Sequence, residues 1–169
     1  MGKPGFLIKF GKFLMAKGAL RVVIADDEDA YFNERMIGSA KLAGFPGIER
    51  IDFVTHDIFQ SWLKDSPEII ILDVMNVVDE EIAKDGIELA RTLKANTNSM
   101  LIVTSAHEQQ LKNSLAHIDY FIENRKLTSS DFIYELNKIM DHYINVKSKF
   151  YKNVSLKIGM KLASGAASA

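Results

Sequence analysis

The chain has 169 residues, no cysteine, three prolines and ten glycines, with 47% hydrophobic and 25% charged residues. This composition is that of an ordinary globular domain; it excludes a disulfide scaffold, a thiolate metal site and a cysteine nucleophile, and no apolar run reaches the roughly 18–20 residues that span a bilayer. The net charge of −1 is segregated: residues 1–21 and 147–169 each carry five basic residues and no acid, while residues 22–146 hold all 22 acids against eleven bases, a poor match to nucleic acid.

In chain order, residues 1–19 form a basic, apolar extension. Lys9, Lys12 and Lys17 interrupt its apolar run, so no signal peptide is read there and a cytoplasmic location is expected. Phe6, Leu7, Phe10, Phe13 and Leu14 can share one face of a modest cationic helix, weakened by Gly5, Gly11 and Gly18. Leu20–Ala25 is a short β-branched run of the kind shown by a strand buried on both faces, and it ends in Asp26-Asp27-Glu28-Asp29. Tyr31, Met36, Ile37, Ala40 and Leu42 predict a helix, stopped by Gly44-Phe45-Pro46-Gly47. Ile51–Thr55 reads as a weaker strand, Ile58–Leu63 as a short helix and Glu68–Met75 as the clearest buried strand. Gly86–Ala95 is a helix with Ile87, Leu89, Ala90 and Leu93 inward, and Met100–Thr104 is a fourth strand. Gln109–Ala116 is helical, Tyr120–Ile122 a fifth strand, and Ser129–Tyr143 a helix with an N-cap at Ser129 or Ser130. Beyond it, Val154, Leu156, Ile158, Met160 and Leu162 alternate with Ser155, Lys157, Gly159 and Lys161, the period of a strand. Such a strand can pair with its own sheet, with the N-terminal segment or with another chain's edge, which allows a homo-oligomer. Disorder is the plain alternative, and contact of the basic ends with a membrane surface is another.

The alternation predicts an α/β fold, a (βα)5 doubly wound five-stranded parallel sheet over residues 20–145, flanked by extensions 1–19 and 146–169. About 25 residues follow the last helix, too few for a separate output domain, so signalling through surface contacts is expected. In an open α/β sheet, ligands bind at the carboxyl ends of the strands. Those ends carry Asp26-Asp27-Glu28, Asp73, Ser105 and Glu123-Asn124. Carboxylates gathered at one edge repel one another unless a cation neutralises them, and a hard ion with oxygen ligands, Mg2+, suits Asp26, Asp27 and Asp73. Ionised Asp73 could attack a phosphoryl group, with the Ser105 hydroxyl bonding its oxygens. The plainer alternative for each acid is a helix N-terminal cap. His56, His107, His117 and His142 show no ligand spacing, though His107 is near enough to Ser105 to line the site. GKFLMAKGA lacks the order of a nucleotide-binding loop.

Over residues 20–143 the sequence resembles the receiver domain of bacterial two-component response regulators. The resemblance is carried by VVIADDE at 22–28, EIIILDVM at 68–75, DGIELARTLK at 85–94, IVTSAH at 102–107 and IDYFIE at 118–123. It implies a flavodoxin-like receiver fold, Asp73 as phosphoacceptor, and Mg2+ held by Asp26, Asp27 and Asp73 with the carbonyl of Met75. It also implies Ser105 as switch hydroxyl, with Thr104 the second choice by one register, because the family places a small residue after the hydroxyl and Ala106 follows Ser105. Tyr120 falls near an aromatic switch position, although core packing accounts for it equally well. The implied partners are a histidine kinase or phosphotransfer protein and a target docked on the last strand and last two helices. The implied role is a stand-alone response regulator, not an enzyme.

The chain departs from the family twice. Where a lysine and a proline usually follow the fifth strand, it reads Glu123-Asn124-Arg125-Lys126-Leu127. Without a gap Glu123 or Asn124 takes the lysine position, and with two extra residues Arg125 or Lys126 supplies the cation; Glu123 is expected to point away from the acidic pocket. Asp73 and Gly86 are thirteen positions apart, a loop about five residues longer than the family's, without its proline and with Asp79, Glu80 and Glu81 added. That loop reads either as a screen or partner contact beside the acceptor, or as a solvated insertion. Two rival readings follow: a receiver-like interaction module that is never phosphorylated, and a metal-dependent phosphatase. The latter needs a second aspartate two residues after the nucleophile, where Met75 stands.

Overall fold

The computed structural model describes residues 20–28, 31–105, 118–123 and 127–146. The expected terminal segments, the helix at Gln109–Ala116 and residues His107, His117, Asn124, Arg125 and Lys126 lie outside them. Five strands, β1 (Val22–Ala25), β2 (Ile48–Ile51), β3 (Ile69–Asp73), β4 (Met100–Ser105) and β5 (Tyr120–Glu123), form one parallel sheet in the order β2-β1-β3-β4-β5. The described helices are α1 (Glu34–Leu42), α2 (His56–Lys64), α3 (Gly86–Asn96) and α4 (residues 129–146). This is the doubly wound α/β architecture expected. Among the described residues, no helix is long and apolar enough to cross a membrane.

Strand periodicity divides the core into two layers. Val22, Ile24, Ile69, Ile71 and Ile102 join Met36 and Ile37 of α1 and Phe132, Leu136 and Ile139 of α4. Val23, Ala25, Ile70, Leu72, Leu101 and Val103 instead join Trp62 of α2 and Leu89, Ala90 and Leu93 of α3. Burial on both faces explains why β1, β3 and β4 are continuously apolar. Phe32, just before α1, meets Phe132 of α4 edge to face with ring centroids 5.1 Å apart.

Side-chain caps start each helix. The side chains of Asn33, Thr55 and Asp85 accept from the amides of Met36, Ile58 and Glu88. In α4 the cap is Thr128 rather than Ser129 or Ser130. The Thr128 hydroxyl accepts from the Asp131 amide (3.2 Å), and the Asp131 carboxylate accepts from the Thr128 amide (3.0 Å), a reciprocal box; the Thr128 hydroxyl, donating to the carboxylate at 2.6 Å, and then the Thr128 amide hold the Asp131 carboxyl below its usual range.

The second strand is Ile48–Ile51, not Ile51–Thr55. Gly47 permits the earlier start, since a Cβ there would lie 2.3 Å from the Leu20 carbonyl oxygen; the Val22 amide donates to the Gly47 carbonyl, and pairing begins one residue later. Thr55, read as strand from its branching, caps α2 instead.

The connection after β3 is not a solvated insertion. Val77, Val78 and Ala83 are buried. Val78 makes a parallel bridge with Val54, and the Val54 amide donates to the Val77 carbonyl at 2.7 Å. Because β1 lies between β2 and β3, this bridge joins the continuations of its two neighbours beyond the point where β1 ends. The far end of the strap closes on Gly86, whose amide donates to the Val74 carbonyl; a Cβ on Gly86 would be 1.9 Å from the Asp73 carbonyl oxygen. The acidic residues form its turn, with the Asp79 carboxylate accepting from the Glu81 amide.

Candidate functional site

Parallel register brings the strand ends level. Ala25 pairs with Leu72, Asp73 with Thr104 and Ser105 with Glu123, so Asp26, Asp73 and Thr104 share the carboxyl edge.

Asp26 is 1% exposed. Its amide donates to the Ile51 carbonyl (3.1 Å), and its carbonyl accepts from Arg50 Nε (3.1 Å) and Nη2 (2.8 Å). Oδ1 accepts from the Glu28 amide (2.8 Å), and Oδ2 has no partner among the described residues. Burial raises the carboxyl to about 6; the nearby Asp73 adds to the rise, and the Glu28 amide and Arg50 oppose it.

Asp73 is half-buried at the end of β3. Oδ2 accepts from the Met75 amide (3.3 Å), and Oδ1 accepts a long bond from the Thr104 hydroxyl (3.4 Å). Burial pushes its carboxyl above the usual range, with Asp27 adding repulsion, against the amides of Met75 and Val74 and the Thr104 hydroxyl. The chain leaves Asp73 through Asn76, whose φ of 53° is in the left-handed region that Asn tolerates better than most residues.

The two hydroxyl candidates lie one register apart on β4. Thr104, fully buried and level with Asp73, donates to it; Ser105 is one residue further, half-buried and level with Glu123. Glu123, exposed, ends β5, while Arg125 and Lys126 lie outside the described residues. The Tyr120 hydroxyl donates to Glu135 of α4 (3.0 Å), which also pairs with Lys138 (2.9 Å).

Asp27 is exposed, and among the described residues no three acidic or histidine side chains are gathered so that they could hold a metal ion. Mg2+ needs only one or two carboxylates, because it keeps several waters. Asp26 and Asp73 fit that requirement: both are hard oxygen donors, burial raises both carboxyls above the usual range, and Asp26 Oδ2 is a buried oxygen without a donor among the described residues. Arg50 was not legible as a site residue, because what it grips is a main-chain carbonyl.

No family profile and no curated protein matches the sequence. Solved structures do match. A response regulator receiver domain from Clostridium thermocellum is 14% identical, with 78% of this chain and 98% of that chain covered and a TM-score of 0.56. The receiver domain of a sensor histidine kinase from Pseudomonas aeruginosa, described with a magnesium ion coordinated in its active site cleft, is 14% identical over 75% of this chain and 98% of that one, with a TM-score of 0.55. A two-component transcriptional regulator from Clostridium phytofermentans is 23% identical over 77% and 98%, with a TM-score of 0.54. Together with the strand order and the two-layered core, these matches establish that the chain has the response regulator receiver-domain fold.

Proposed function

We propose that this chain is a stand-alone receiver that accepts a phosphoryl group on Asp73 from a phosphohistidine of a kinase or phosphotransfer protein and signals in the cytoplasm through protein contacts. The observation that carries the reading is the pairing of Asp73 with the buried Asp26 and the Thr104 hydroxyl at one strand edge. In this reading an Asp73 carboxylate oxygen attacks phosphorus. The O–P bond forms as the N–P bond breaks, and the imidazole nitrogen leaves with the electron pair and takes a proton. The Thr104 hydroxyl is placed to donate to a phosphoryl oxygen, and the amides of Val74 and Met75 to hold the carboxylate. Asp26 and Asp73 would hold Mg2+, with Asp27 and the Met75 carbonyl as further ligands. The ion would offset the charge on the phosphoryl oxygens. Ser105, Arg125 and Lys126 are proposed around the acceptor, and the last strand and last two helices as the target surface.

Incubation with Mg2+ and a phosphorylated histidine donor is expected to add one phosphoryl mass to the wild-type chain and none to Asp73→Asn. Equal labelling of the two would rule Asp73 out as acceptor.

A second reading, a receiver-like interaction module that is never phosphorylated, is favoured by one set of contacts. Glu123 rather than a cation ends β5, and the Tyr120 hydroxyl is tied to α4 through Glu135 and Lys138. Absence of labelling in wild type under these conditions would select it.

A further inference from the structure

Arg50 has no part in the chemistry above, yet its placement is specific. It is carried on the edge strand β2, level with Ile24 of β1, and its side chain is only 13% exposed. It pairs with the exposed Asp52 at 3.1 Å. Its Nε and Nη2 converge on the Asp26 carbonyl oxygen. A guanidinium presents its donors in a rigid plane, so two of them on one oxygen fix that peptide's position in a way a flexible ammonium does not. On its other side, Asp26 donates its amide to Ile51 of the same strand. The residue is thus held by β2 through both its amide and its carbonyl, and Oδ1 is held by the Glu28 amide. What this grip leaves without a partner among the described residues is Oδ2.

We propose that Arg50 is a positioning residue for the divalent-cation site: by clamping the Asp26 carbonyl it holds the β1–α1 turn so that Asp26 Oδ2 stays available to the ion. The inference rests on the reading that Asp26 and Asp73 take Mg2+. Its sign separates it from plain electrostatics. A positive charge beside the site repels a cation, so a merely electrostatic Arg50 would weaken binding and its removal would strengthen it. A clamp does the reverse.

The experiment uses the full chain with Arg50→Gln, Arg50→Lys and Asp52→Asn, read in two ways. Mg2+ is titrated by amide spectra at Asp26 and Asp73, and hydrogen exchange of the Glu28 amide is measured in EDTA. Arg50→Gln is expected to weaken Mg2+ binding about tenfold, the usual effect of losing a residue that orients a ligand, and to speed Glu28 exchange while core amides such as Leu101 keep their protection. Arg50→Lys, which keeps the charge and loses the fork, should fall between, and Asp52→Asn should match wild type. Tighter or unchanged Mg2+ binding in Arg50→Gln with unchanged Glu28 exchange overturns the proposal. Loss of core protection in Arg50→Gln passes the decision to Arg50→Lys, where wild-type values overturn it equally. If the wild-type chain binds no Mg2+, the cation reading and this role both fall, whereas failure of the clamp alone leaves wild-type binding intact.

Discussion

A carboxylate buried to 1% exposure, with one oxygen unpartnered among the described residues, costs the fold free energy whenever it is ionised. For Asp26 the ordinary value of 3.8 rises to about 6 in the folded chain, so between about pH 4 and pH 6 the native state binds more protons than the unfolded one. Stability falls as pH rises through that window, by up to about 3 kcal/mol from this residue; Asp73, raised for the same cause, acts in the same direction. Asp26→Asn removes the charge and keeps an oxygen for the Glu28 amide. In urea unfolding with EDTA it is expected to be more stable than wild type by about 2 kcal/mol at pH 7, the gap closing towards pH 4. Mg2+ should stabilise wild type and leave the variant nearly unchanged. A variant less stable than wild type at pH 7 would refute this account of Asp26. The acids were legible in sequence because each directly follows a buried apolar run. That Thr104 is the hydroxyl level with Asp73 was not, since Thr104 and Ser105 end the same strand and only pairing with β3 sets the register.

Elements show where local pattern and tertiary context part. Long apolar runs such as Glu68–Met75 gave β3 to within a residue or two, because a strand covered on both faces leaves little else it can be. The edge strand β2 has polar Glu49 and Arg50 at its centre and half-covered faces, so the branched residues after it drew the reading three to four residues too late. The strap after β3 was misjudged as solvent-facing by one of its two readings because its acids are conspicuous, whereas the bridge between Val54 and Val78 depends on two loops that only the sheet order brings together. Val77→Ala is expected to lower unfolding stability by about 2 kcal/mol in urea melts, as a buried truncation does. A freely solvated loop would show less than about 0.5 kcal/mol. Gly86→Ala should cost about 3 kcal/mol, because its Cβ would overlap the Asp73 carbonyl. Wild-type stability in either variant would contradict the packing described here.

At the scale of the whole molecule, the near-zero net charge is the sum of an acidic receiver body and two basic ends. The body's fold was legible almost completely, since five apolar runs alternating with helical periods admit few parallel topologies. The ends lie outside the described residues, and their lysines among apolar residues are their one physical lead. The membrane-surface expectation predicts that the full chain co-sediments with anionic vesicles at low salt and is released at high salt. No binding at low salt would remove it. The phosphoacceptor role of Asp73 is the central claim, and beryllofluoride with Mg2+ tests it most directly, as a phosphoryl mimic that needs no cognate kinase. Amide spectra of wild type are expected to shift at Asp26, Asp73 and Thr104 and to saturate, those of Asp73→Asn to stay unchanged, and those of Thr104→Val to shift only near Asp73. An unchanged wild-type spectrum, or the same shifts in Asp73→Asn, would contradict it.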